Sequence, residues 1–445
     1  MKRLHARRLA SACILSAAAT AALVAPGAAS ASLGTQCSGA NITGQGSSLQ
    51  KLAQQNYWDP QFNTSNDPKA CDGKQGSKAK PTVLYTSTGS GTGLKSWGAE
   101  GKLEGTPDGF GENNAFVGTD EPPSAKQITN IESFESTPTA ESLETIPVAQ
   151  ESVAIIVNLP AGCTATSTAA PGRLVLNNST LEGIFAGTVT TWGQLTEGGD
   201  AVTGTGCAAD TIQPVVRFDQ SGTTHIVKQY LGQINSGTLE TSAGPETWQN
   251  LSEGSLNTTW PTAANVIKPL AKGGGEEMNK VLATPGSIGY VNLAEARTKF
   301  GTPTATAFWV EVQNGVKGKG KSEKVLYADP ASNKEVPTVA NANCKDTKYI
   351  NNEGKPFPPP ATTAPWNNVT TSTSEKTYTL CGLTYDLAFT NYSLLGATSA
   401  EATTVNNFLR FVTDKGGQKA ITNADYLTLP KEVLGLAATG AAAID

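Results

Sequence analysis

The chain has 445 residues and carries 33 Lys and Arg against 38 Asp and Glu, a formal charge of −5 near neutral pH. That balance excludes a broad nucleic-acid surface, which needs extended positive potential. The length exceeds what one hydrophobic core usually serves and predicts two domains.

In chain order, a basic cluster comes first: Lys2, Arg3, Arg7 and Arg8. An Ala-rich apolar run follows from about Leu9 to Val24; Pro26-Gly27 break it, and Ala29-Ser30-Ala31 offers small residues for cleavage. This is the layout of a secretory signal peptide, expected over 1–31, and its core is too short to span a bilayer comfortably. A lipid anchor at Cys13 or Cys37 and a twin-arginine signal at Arg7-Arg8 are the alternatives. Cleavage removes four basic residues and no acids, taking the formal charge from −5 to −9 over the remaining 414 residues. No later stretch is apolar enough to cross a membrane as a helix. The expected location is therefore extracytoplasmic, and any attraction for an anion must be local.

Six cysteines remain: Cys37, Cys71, Cys163, Cys207, Cys344 and Cys381. An even count in an exported chain predicts disulfides. Six allow fifteen pairings, and Cys37–Cys71, Cys163–Cys207 and Cys344–Cys381 are favoured because sequence neighbours close the shorter loops. Neither a metal nor a cofactor is expected: no C-x-x-C occurs, and His225 is the only histidine beyond the signal segment.

Short apolar runs among many Gly, Ser and Thr predict an α/β fold rich in loops. Val83-Leu84-Tyr85 reads as a strand entering a Ser/Gly/Thr loop, Ser87–Gly93. Ala115–Gly118 is a second strand, and the apolar run Ser152–Val157 is a buried one. Leu181, Ile184 and Phe185 sit at helical spacing, with a Ser179/Glu182 capping box before them and Gly187 at the end. Val215-Val216 is a strand leading into Arg217, and a helix follows at Thr224–Leu231. Residues 301–378 are polar, with a lysine run at Lys317–Lys324 and prolines at Pro356–Pro360, and read as a loop-rich insertion with a solvated lysine face. Tyr385–Phe389 returns as a strand, and Val405, Phe408, Leu409 and Phe411 mark a helix.

The sharpest motif is Val215-Val216-Arg217-Phe218-Asp219-Gln220-Ser221-Gly222-Thr223-Thr224. A strand ends and a Ser-Gly-Thr triplet opens a helix, whose first amides lack internal acceptors and face a site that favours negative charge. Gly222 admits a ligand close to the backbone, Ser221 and Thr223 add hydroxyls, and Arg217 adds a forked cation matched to a tetrahedral oxyanion. A plain serine N-cap beside a surface arginine is the competing explanation. Two more loops, Ser87–Gly93 with Ser90 and Gly44–Leu49 with Ser48, follow the same pattern. The segment Phe116–Pro122 adds Asp120. A carboxylate beside an anion makes sense if the ligand carries a proton, as phosphate does near neutral pH and sulfate does not. Against sulfate an ionised Asp120 would face lone pairs, and an unmet buried group costs about 1–3 kcal/mol or more. The alternative is that Asp120 caps the next helix.

Taken in this order, the stretches Gly44–Leu49, Tyr85–Leu94, Phe116–Pro122, Ile146–Val157, Leu174–Trp192, Val215–Leu231, Pro285–Val291 and Tyr426–Val433 resemble the phosphate-binding proteins of ABC phosphate importers. The resemblance implies a two-lobed type II periplasmic-binding-protein fold with two hinge crossings, near Ala149–Val153 and Gly289–Val291, and a cleft between the lobes. One lobe would hold 38–148 plus 291–445 (with the insertion), the other 149–290. It implies Ser48 and Ser90 as hydroxyl donors, Leu49 as a backbone donor, and Asp120 as the acceptor carboxylate. Arg217 would be the cationic clamp held by Asp219, and Ser221, Gly222 and Thr223 the helix-N-terminus donors. The implied ligand is inorganic phosphate and the implied partner a membrane-embedded ABC phosphate permease, the chain acting as a monomer with no nucleic acid. Leu49-Gln50 stands where Phe-Pro is usual, and the 301–378 insertion is longer than the pattern expects. The competing functions are a secreted hydrolase built on Ser221 and His225, or the same fold used as a surface sensor or adhesin, or as a carrier of arsenate or sulfate.

Overall fold

A computed structural model describes residues 39–64, 81–103, 114–138, 142–166, 173–195, 202–262, 268–300, 306–317, 324–331, 348–351, 355–361, 366–372 and 378–445. The signal segment and the proposed Cys37–Cys71 bridge lie outside these residues.

The framework is a ten-stranded mixed sheet. Its first group of strands is parallel: β1 (Ile42–Gly46) lies between β2 (Val83–Ser87) and β3 (Phe116–Thr119). After β3 the chain runs through helix α1 (Ala125–Glu132) into β4 (Leu143–Asn158), whose sixteen residues are all buried. Continuous burial explains why the sequence here shows an apolar run and not alternation. A second parallel group follows, with β5 (Gln213–Arg217) between β6 (Lys268–Ala271) and β7 (Ser287–Asn292). The later strand β8 (Cys381–Phe389) closes the order as β6-β5-β7-β4-β8-β3-β1-β2.

β4 serves both groups. Its first ten residues, Leu143–Ser152, pair antiparallel with β8, and Val153–Asn158 pair antiparallel with β7. The fold is α/β and two-lobed, with the carboxyl ends of β1, β2 and β3 on one side and that of β5 on the other directed toward the loops that bear the candidate motifs. Ligands of open α/β sheets bind off such strand ends.

Helices cover the sheet where apolar residues recur at helical spacing. Phe408 and Phe411, on the helix Ser399–Val412, pack against Phe62 at 5.4 and 6.0 Å between ring centroids, and Phe408 also meets Phe116 at 5.4 Å. The Thr398/Glu401 capping box starts that helix.

Local readings differ from the structure at four places. The Ser87–Gly93 loop is shorter than its composition suggested: a helix begins at Ser90 and runs to Ser96, because Gly89 at φ 97° makes the turn into it. The helix Asn178–Ala186 is capped by Asn177, whose side chain accepts from the Thr180 amide, and not by Ser179; Glu182 instead accepts from Trp248 Nε1 at 2.8 Å. Gly187 does end it, in the left-handed region at φ 80°. Asp120 caps no helix, since Ser124 and Gln127 form the capping box of α1. The 301–378 stretch holds strands, including Ala307–Trp309 paired with β4 and Glu311–Lys317 paired with Lys324–Ala328 and Val175-Leu176.

Cys163 and Cys207 form a disulfide with Cα atoms 5.8 Å apart, as the sequence favoured. Cys381 is also disulfide-bonded; Cys344, its expected partner, lies outside the described residues. Among the described residues no helix is long and apolar enough to cross a membrane, and no cluster of His, Cys, Asp or Glu is arranged to hold a metal ion.

Candidate functional site

Four chain segments meet at the strand ends. The first turn after β1 carries Ser47, Ser48, Leu49 and Gln50. The helix after β2 opens with Ser90, and Asp120 follows β3. Arg217 ends β5, and α2 (Gly222–Ile234) begins five residues later. Ser48, Ser90, Asp120, Arg217, Ser221 and Thr223 are all at least nine-tenths buried.

Contacts across the two strand groups join them. Arg217 Nη1 donates to Ser48 Oγ at 3.3 Å. Arg217 Nε donates to Asp219 Oδ1 at 2.6 Å, and Nη2 to Asp219 Oδ2 at 2.5 Å. This fork fixes the guanidinium plane and leaves Nη1 directed at the Ser48 side. Burial would lower the Arg217 pKa, but the Asp219 contact outweighs it and the pKa is raised; the group is a permanent cation. Gly222 lies so close to the opposite wall that a Cβ there would fall 2.5 Å from Asp120 Cβ and 2.6 Å from both Asp120 Oδ2 and Ser90 Oγ. The Gly91 amide donates to the Gln220 carbonyl at 3.2 Å.

Asp120 is the centre of a dense hydrogen-bond set. Its Oδ1 accepts from Ser47 Oγ at 2.6 Å and from Thr384 Oγ1 at 2.7 Å. Its Oδ2 faces Ser90 Oγ at 3.4 Å, and its own amide donates to Ser90 Oγ at 3.2 Å. Burial pushes the carboxyl up to about 6, against the lowering effects of Ser47, Thr384, Arg217 and Ser90. Near neutral pH it is therefore mostly an acceptor-only group.

Ser221 is the N-cap of α2: its Oγ accepts from the Thr224 amide at 3.3 Å, and its own amide donates to Asn257 Oδ1 at 3.1 Å. Its hydroxyl proton is thus free of the helix, whereas its amide is spoken for. Gly222 and Thr223 are the first two helical residues, and among the described residues their amides have no acceptor, as helix geometry requires. The expected donors Ser48, Ser90, Gly222 and Thr223, the acceptor Asp120 and the cation Arg217 are accordingly brought to one place. Leu49 stands apart. Its amide donates to Ser47 Oγ at 3.0 Å, so it is committed inside its own turn and is not directed at the cleft.

Sequence reasoning missed several neighbours. Ser47 sits one residue before the expected Ser48 and takes the contact with Asp120. Thr384 comes from β8, 264 positions away in the chain from Asp120, and nothing in the intervening sequence marks it. The helix Gly273–Ala283 also starts here: the Gly274 amide donates to Ser48 Oγ and the Gly273 amide to Asp219 Oδ1, both at 3.4 Å. The Gly273-Gly274-Gly275 run ahead of a helical pattern was the available signal.

His225 is buried. Its Nδ1 lies 2.9 Å from the Ser252 carbonyl, and burial lowers its pKa to about 4. Its backbone amide donates to the Ser221 carbonyl at 2.9 Å, and among the described residues no side-chain hydrogen bond joins the imidazole to the Ser221 hydroxyl. It lines a cavity of about 20 Å³ together with Asp120, Gln229, Tyr349 and Tyr385, a space for a water molecule and not for a substrate.

A family model described as a PBP superfamily domain matches residues 28–354. The chain belongs to the PBP superfamily. Among solved structures, a phosphate-binding protein from Stenotrophomonas maltophilia is 20% identical, with 90% of this chain and 93% of that one covered at a TM-score of 0.53. A high-affinity periplasmic phosphate-binding protein, PfluDING, bound with phosphate, is 19% identical, with 89% and 92% covered at 0.54. A human phosphate-binding apolipoprotein is 18% identical, with 89% and 93% covered at 0.55. At these identities the likeness to this PBP-superfamily chain is one of fold. No curated protein matches the sequence.

Proposed function

We propose that this PBP-superfamily chain captures inorganic phosphate between its two lobes and delivers it to a membrane-embedded ABC importer. The observation that carries the reading is the meeting of Arg217 and the Gly222–Thr223 helix start with Ser48, Ser90 and the carboxylate of Asp120. Hydroxyls, amides and a guanidinium surround a tetrahedral anion with donors. The single acceptor, Asp120, selects an anion that still carries a proton. The three structural relatives named above are phosphate-binding proteins, one of them with phosphate bound, which accords with this.

In this reading Ser48, Ser90, Arg217, Ser221 (through its hydroxyl), Gly222 and Thr223 donate, Asp120 accepts, and Leu49 joins only if its turn rearranges. The lobes are 38–148 plus 291–445, and 149–290, with the strands at 307–317 packing on the second. Export rests on the basic and apolar pattern of the first 31 residues. In this reading the chain acts as a monomeric binder and not an enzyme; the contact of the His225 imidazole with the Ser252 carbonyl supports the second of these.

Calorimetry on phosphate-stripped protein, with phosphate against sulfate, tests the proposal. Phosphate binding that exceeds sulfate by tenfold or more is expected. Equal affinities would remove the role given to Asp120, and no binding of either would remove the function.

A further inference from the structure

Gln50 lies buried behind the candidate site, with no exposed surface. Its backbone amide donates to Ser47 Oγ at 3.3 Å, and its side-chain Nε2 donates to Thr384 Oγ1 at 2.7 Å and to the Tyr385 carbonyl at 2.8 Å. Gln54 Nε2 donates to Gln50 Oε1 at 3.0 Å, which fixes the orientation of the Gln50 amide. These bonds have a direction. A hydroxyl has one proton, and each of these two already accepts from an N–H that can only donate. Ser47 receives the Leu49 and Gln50 amides, so its proton goes to Asp120 Oδ1; Thr384 receives Gln50 Nε2, so its proton goes to the same oxygen at 2.7 Å. The other acceptor near Thr384, the Thr119 carbonyl, is farther away at 3.4 Å.

We propose that Gln50 and Thr384 are specificity-positioning residues: with Ser47 they form a one-way donor relay that saturates Asp120 Oδ1, holds the carboxylate as an acceptor, and leaves Oδ2 as its only face toward the ligand. This inference deepens the phosphate reading and rests on it for its selectivity consequence. Its structural half does not, because Gln50, Thr384 and Asp120 sit together on the β1, β8 and β3 side of the molecule.

Several other ionisable groups face Asp120. Arg217 from β5 favours its ionised form. Glu151 on β4 and Asp386 on β8 oppose it where they are charged. The phenols of Tyr85, Tyr385 and Tyr426 are all held protonated by burial, with pKa values above 10, and His225 across the small cavity is neutral. The relay therefore supplies neutral donors at a site where two nearby carboxyls work against a third charge. Hydrogen bonds given to the charged form lower an acid's pKa, so removing one raises it.

The test is side-chain carbon-13 NMR of aspartate-labelled full chain, following Asp120 through pH 4–9 without phosphate, and calorimetric phosphate affinity over the same range. Thr384→Val and Gln50→Leu are each expected to raise the Asp120 midpoint by about one pH unit, and Thr384→Ser to restore it. In calorimetry the acid limb of phosphate binding moves to higher pH by the same amount, and phosphate discrimination over sulfate narrows about fivefold at pH 6, the fall in the ionised fraction of Asp120. A folded Gln50→Leu or Thr384→Val protein whose Asp120 midpoint stays within about 0.2 unit of wild type overturns the relay. If one variant fails to fold, the other carries the test. A wild type that binds no phosphate would defeat the functional reading alone, and the NMR titration would still decide the relay.

Discussion

Replacing Gly222 by alanine separates the site from the fold. The added methyl would lie 2.5 Å from Asp120 Cβ and 2.6 Å from Asp120 Oδ2 and Ser90 Oγ. Ordinary contact needs roughly 3.5 Å, so the walls must part by about 1 Å. The strain of such overpacking is about 1–3 kcal/mol, which corresponds to roughly 5- to 150-fold in affinity if the contact exists only when the lobes close. The effect on the free protein has the opposite sign. Gly222 is helical, and alanine in a helix is favoured over glycine by about 0.5–1 kcal/mol. The Gly222→Ala protein without phosphate should therefore melt at or slightly above the wild-type temperature while its phosphate dissociation constant rises at least fivefold. Calorimetry and differential scanning fluorimetry, each with and without phosphate, read the two quantities. Wild-type affinity would refute the argument that Gly222 closes against Asp120. An equal loss of stability in the phosphate-free protein would show that the contact belongs to the fold and not to closure.

Other outcomes follow from the same geometry. Arg217→Ala should lower affinity for phosphate and arsenate alike by a hundredfold or more, since it deletes a buried fork and leaves Asp219 without its cation; calorimetry with both anions checks it. Asp120→Asn should weaken phosphate while narrowing its margin over sulfate, because an amide donates where the carboxylate only accepts; competition binding reads the ratio. The phosphate-free protein should be more stable at pH 5.5 than at pH 8.5. Burial raises Asp386 to about 7 and Asp59 and Glu121 to about 8, so the folded state holds protons that the unfolded chain has lost above pH 4, and stability falls as pH rises from about 4 to 8. His225, lowered to about 4, works oppositely between pH 4 and 6.5, and so does Lys228 at higher pH, because burial lowers its pKa too, but the raised carboxyls outnumber them. Thermal melts across pH test this, and Asp59→Asn should flatten the slope. Cys163→Ser with Cys207→Ser should lower stability by about 2–4 kcal/mol, the chain-entropy scale for a loop closed across 44 positions, measured by urea unfolding.

Some of this was legible in the residues. The buried strand at Ser152–Val157, the strand–Arg217–helix unit and the turn at Gly44–Leu49 are local patterns, set by hydrophobic run length, helix capping and the need of helix amides for an acceptor. Asp120 was recognisable because a carboxylate among donor loops has few other uses. The Cys163–Cys207 pairing followed from proximity in sequence. Local signals also misled where two residues compete for one role. Ser179 matched a cap, but Asn177 takes it, and the glycines at 89–93 hid a helix start.

Tertiary structure alone decided the rest, because hydrogen bonds between distant strands leave no periodic trace. Thr384 is an ordinary strand threonine until β8 is laid beside β3, which puts its hydroxyl on Asp120. Gln50 looks like a surface residue of a polar helix until burial makes each of its N–H groups find an acceptor. The chain could announce which residues are able to hold an oxyanion. Only the packing of β4 against both β7 and β8, with every side chain along it removed from water, determined which of them meet.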